Sequence, residues 1–132
     1  MTNNKIELLK QLSELTQSRE IKWKKHNPDN PNAYSSEIIL INKTTKKESE
    51  ATLIIDKYNT RDKENHVYNC LNFSIQDKNL DLVEDFVRCE QTIPNYIPEY
   101  FALKTLYDLV IDNSNYFNQP IQLSYDLSLR NV

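Results

Sequence analysis

A chain of 132 residues with 16 Lys and Arg against 19 Asp and Glu has the size of one domain and a net charge of -3, without the basic excess of a nonspecific polyanion binder. At 39% hydrophobic and 27% charged residues the composition is that of an ordinary folded protein. The absence of glycine excludes every phosphate-cradling loop that needs positions without a Cβ, Walker A and dinucleotide fingerprints included.

Ile6, Leu8, Leu9, Leu12 and Leu15 recur at three- and four-residue spacing behind the capping residues Asn3 and Asn4, which predicts an amphipathic helix over 4–17. In residues 20–25 charge alternates with Ile21 and Trp23, the pattern of a short strand with Trp23 pointing inward. Pro28 and Pro31 with three asparagines make 26–32 a connector and a mobile edge. Two β-rich runs, 34–42 and 51–58, flank a charged turn and predict a hairpin. Its continuous apolar stretches, 38–41 and 53–55, imply cover on both faces.

The next strand alternates most clearly, with Val67, Leu71, Phe73 and Ile75 on one face and His66, Tyr68, Cys70, Asn72 and Ser74 on the other. Residues 80–90 fit helical spacing and a returning strand, and the valines favour the strand. Pro98 is placed to open a helix over 98–113, with Tyr100, Leu103, Leu106, Tyr107 and Val110 on its inner face. The tail from 114 to 132 carries a period-two fragment, Ile121 to Leu129, and reads as a last strand or an extended arm. These elements form a single α+β domain over 1–132. It is an antiparallel sheet of four to six strands with an N-terminal and a C-terminal helix packed on it.

Leu15-Thr16 followed by Ile21-Lys22-Trp23, with Leu106-Tyr107 in the last helix, resembles small uncharacterised bacterial proteins that begin with a helix and a Trp-bearing strand. The resemblance implies this order of elements and carries no activity. Sixteen asparagines and twelve lysines against four arginines suggest an AT-rich coding sequence, and with it a bacterial or phage origin.

Cys70 and Cys89 form no CxxC pair and no regular framework, so they are expected as reduced, buried thiols. No run approaches ~20 apolar residues and the first residues do not resemble a signal peptide, so the expected location is cytoplasmic. His26, His66 and the cysteines show no metal-ligand spacing, and His66 and Cys70 lie roughly 13 Å apart along a strand, too far for one zinc. No metal, cofactor or catalytic residue is therefore expected. An enzyme built on a Cys/His pair is the third reading, and it requires a deep pocket holding His66.

The candidate binding residues are Arg19, Lys22, Lys24, Lys25 and Tyr34, where lysines interleave with aromatics in a way that could hold phosphates and stack bases. Residues 1–66 hold 12 basic and 10 acidic side chains, and 67–132 hold 4 and 9, so an acidic half could meet a basic partner. Eight tyrosines and one tryptophan supply side chains enriched at interfaces. The expectation is a non-catalytic protein-binding module, of the inhibitor or immunity kind, with a protein partner or a second copy and no membrane. Nucleic-acid binding through Lys22, Lys24 and Lys25 is the alternative, and it requires these lysines to line up with Lys43, Lys46 or Lys47.

Overall fold

The computed structural model describes residues 4–91 and 94–119. Helix α1 (Asn4–Gln17) leads into strands β1 (Lys24–Asn27), β2 (Asn30–Ile41), β3 (Glu48–Arg61), β4 (Val67–Asp77) and β5 (Leu82–Cys89). A 3-10 turn at Pro94–Tyr96 precedes helix α2 (Ile97–Phe117). The strands pair in chain order, each antiparallel to the next, so an α+β meander with a helix at each end is what the expected pattern becomes.

Alternation along the strands makes the core. Leu53 and Ile55 of β3, Leu71, Phe73 and Ile75 of β4 and Phe86 of β5 point to one face. There they meet Leu9 and Leu12 of α1 and Tyr100, Leu103, Leu106, Tyr107 and Val110 of α2. Leu9, Leu53, Ile55, Phe73, Leu103, Leu106 and Val110 are wholly excluded from solvent, and each contributes roughly 2 kcal/mol by burial. Trp23 is buried as its pattern requires and donates its indole N–H to Thr16 Oγ1 at 3.0 Å. Arg88 at the end of β5 pairs with Glu99 in the first turn of α2 at 2.6 Å, both side chains nearly buried.

Several expectations are corrected. The strand foreseen over 20–25 starts only at Lys24, because the Trp23 amide is taken by Asn113 Oδ1 of α2 at 2.8 Å. The connector 26–32 is a hairpin: Asn27 pairs with Asn30 across Pro28-Asp29, and Asn27 Oδ1 accepts the Asp29 amide. Pro28 opens the turn, and Pro31 falls in the irregular stretch between the Asn27–Asn30 and Lys25–Tyr34 pairs, before pairing with β3 begins at Ala33, so neither position needs a ladder amide. The apolar run 38–41 is covered on one face only. Ile38 and Leu40 pack toward the core while Ile39 and Ile41 are 54% and 59% exposed.

Cys70 and Cys89 stand directly opposite across β4 and β5 and are joined in a disulfide, where reduced thiols were expected. Helix α2 runs four residues past the expected 113, so Ser114 to Phe117 belong to it; residues 120–132, with the fragment from Ile121 to Leu129, lie outside the described residues. Among the described residues no helix is long and apolar enough to cross a membrane.

Candidate functional site

The five predicted binding residues gather at one end of the sheet, but they do not make one face. Arg19, just past α1, places its guanidinium carbon 3.6 Å from the Tyr116 ring centroid. Lys22 Nζ lies 5.3 Å from the Phe117 centroid, so the last turn of α2 takes up both cations by cation–π contact. Lys25 Nζ donates to the Pro31 carbonyl at 2.6 Å and to the Tyr34 hydroxyl at 2.9 Å. Tyr34 itself is buried, edge-on to Tyr107 at 5.9 Å, and so it is a core residue.

Lys24 faces Ser35 and Lys25 faces Tyr34, so strand alternation sends the two lysines to opposite sides of the sheet. Lys22 and Lys24 share a groove with Glu20, Glu37 and Glu50. These carboxylates interleave with the two lysines, so the groove carries charges of both signs.

That groove opens where β1 leaves β2. The pairing of β1 reaches only from Asn30 to Ser35 of the twelve-residue β2, and Ser36 Oγ then donates to the Lys22 carbonyl at 2.7 Å. Beyond Ser36 the outer edge of β2 has no strand neighbour among the described residues. The groove holds about 720 Å³ between the segment at Ile21 and the strands at Ile39 and Thr52. The Asn42 amide donates inward to the Lys47 carbonyl at 2.9 Å. By the alternation of an antiparallel ladder, the amides and carbonyls of Glu37, Ile39 and Ile41 therefore point outward. An exposed apolar edge of this kind is a template for another strand.

A second cluster lies at the β3–β4 turn, where ligand atoms of Asp62, Glu64 and His66 come within 4.8 Å of one another. Turn closure accounts for it: Asp62 Oδ1 accepts the amides of Glu64 and His66, and Oδ2 accepts the Tyr68 hydroxyl at 2.8 Å. The Tyr68 hydrogen bond, foremost, holds the Asp62 carboxyl below its ordinary value. The His66 side chain is 62% exposed and borders neither this groove nor the smaller one at Lys25 and Asp112. No free cysteine remains among the described residues, so the Cys/His pair has no thiol to act as nucleophile.

Compared with models of protein families, with curated proteins and with solved structures, the chain finds no match. Ile39 and Ile41 were read from the sequence as core. They are exposed because both helices pack on the face that carries Ile38 and Leu40, and a continuous apolar run gives no sign of which face is left uncovered.

Proposed function

We propose that the protein is a non-catalytic protein-binding module that accepts an extended segment of a partner on the outer edge of β2. The observation that carries this reading is the stretch 37–41, whose outward backbone groups have no strand partner among the described residues and whose Ile39 and Ile41 side chains are exposed. Strand addition draws affinity from main-chain hydrogen bonds and specificity from alternate side chains, and this edge offers both. The carboxylates of Glu20, Glu37 and Glu50 along the groove suit a partner segment that carries basic residues. A disulfide persists in oxidising surroundings, so the Cys70–Cys89 bond weighs against the expected cytoplasmic location.

The test replaces Ile39 with a photo-crosslinking benzoyl-phenylalanine in cells that produce the full chain, with the same probe at Lys63 on the opposite hairpin tip as control. The expected outcome is a light-dependent conjugate with a polypeptide from position 39 and none from position 63. Equal labelling at both positions, or none at position 39, overturns the reading.

A further inference from the structure

We infer that the strand received by the β2 edge is the same edge of a second copy, giving a two-fold dimer with one continuous ten-stranded sheet. This rests on the protein-binding reading and names its partner. The other edges of the sheet are guarded. Strand β1 is wholly exposed and carries Lys24 and Lys25, with Pro28 in its turn. Strand β5 carries Glu84, Asp85 and Arg88 and has a register shift opposite Ile75 and Gln76.

Between Glu37 and Lys43, by contrast, the β2 edge reads Ile38-Ile39-Leu40-Ile41-Asn42 without a charge. Left open, such a segment invites unlimited edge-to-edge association, whereas a two-fold contact closes the edge of both copies at once.

The sequence of this edge is complementary to itself in one register. A two-fold axis normal to the sheet keeps like faces together, so each residue must oppose one whose side chain points to the same side. With Leu40 on the axis, Ile39 of one copy opposes Ile41 of the other, and both are residues whose amides and carbonyls point outward. Each such pair can exchange both of its N–H···O bonds. In the same register Glu37 lies across from the start of the β2–β3 turn, whose first residue is Lys43 just past the end of β2, so the two charges that bound the apolar stretch come near opposite charges at each end. Moving the axis to Ile39 sets Glu37 against Ile41 and loses this match. Both Glu37 and Lys43 are exposed and therefore accessible to a partner.

The experiment is sedimentation velocity on the purified full chain from micromolar to millimolar concentration, with far-UV circular dichroism to confirm the fold of each variant. The wild-type chain is expected to reach the mass of a dimer, and Ile39→Lys to remain a monomer with an unchanged spectrum. Glu37→Lys and Lys43→Glu each set like charges opposite and should weaken the dimer about tenfold. Combined in one chain they should return it to near wild-type strength, which general apolar stickiness would not do.

A dimer indifferent to Ile39→Lys, or a double variant weaker than either single, overturns the inference. So does a monomer at all concentrations. If that monomer still conjugates another protein through the probe at position 39, the second copy is excluded and the protein-binding reading stands; if it conjugates nothing, both fall.

Discussion

Tyr107 links α2 to the start of β2 through one hydroxyl, which donates to the Asn32 carbonyl at 2.9 Å. Burial, with the nearby Tyr34, Asp56 and Asp108 adding to it, pushes this phenol up to about 12. The folded chain therefore holds the proton more tightly than the unfolded chain, whose tyrosines ionise near pH 10. The resulting stability is complete below pH 10 and is lost as pH rises through about 12. Urea midpoints measured across this window should fall more steeply for the wild type than for Tyr107→Phe. At neutral pH the variant should lose about 1 kcal/mol with its hydrogen bond. A smaller alkaline decline should persist in the variant, because Tyr100 is raised by burial and Lys104 by its bond to Asp108.

Asp56 and Asp62 pull in opposite directions at the acid end. Burial foremost raises Asp56 against a hydrogen bond from Asn72, so acidification relieves it. Asp62 gives stability above its unfolded pKa that is lost as pH falls.

At the scale of elements, the hairpins show how a chain without glycine turns. The left-handed positions are occupied by Lys46, Asn65 and Leu80, with φ of 61°, 67° and 67°. The last two turns share one scheme, in which an aspartate carboxylate accepts the amides two and four residues ahead. Its backbone carbonyl also takes the amide of the left-handed residue. Asparagine tolerates this conformation, whereas leucine adopts it at a cost of roughly 1–2 kcal/mol. Leu80 is also 75% exposed, so its side chain contributes little packing. Leu80→Gly is therefore expected to raise stability by about 1 kcal/mol and Asn65→Gly to change it little, as read by urea denaturation.

The polar clusters made these turns legible in the sequence, yet no glycine marked where the left-handed residue falls, and so the register stayed hidden. The disulfide was hidden for the same reason. The Asp77–Asp81 turn alone would continue the pairing of Gln76 with Leu82 and set Cys70 opposite Arg88. The register shift after Ile75 moves the ladder by one residue and brings Cys89 into place. Strand β5 was legible through its valines. That Val83 and Val87 face solvent while Phe86 alone is buried depends on its place at the sheet edge.

Across the whole molecule, α2 is held at both ends, by the Arg88–Glu99 pair near its start and by Asn113 and Asn118 near its finish. The apolar stripe of this helix could be read directly from its spacing. The role of Asn113 could not, because an asparagine late in a helix usually signals its end, and its partners lie about ninety residues earlier in the chain. Asn113 Oδ1 accepts the Trp23 amide, and Nδ2 donates to the carbonyls of Thr16 at 2.9 Å and Ile21 at 2.8 Å. One buried amide thus ties the end of α1, the link that follows and the start of the sheet to the helix that closes the fold.

Asn113→Ala strands those three backbone groups in the interior and should cost about 3 kcal/mol. Asn113→Asp keeps the acceptor for Trp23 but sets a carboxylate oxygen against two carbonyls, and should cost more. Because these contacts join both ends of the chain, the loss should lower the single unfolding transition as a whole. Trp23, the only tryptophan, reports on this junction by its fluorescence, while far-UV circular dichroism reports on the helices and sheet. Coincident urea curves at a lower midpoint are the expected result; a fluorescence transition that precedes the dichroism would show that the junction opens on its own and that Asn113 is a local tie.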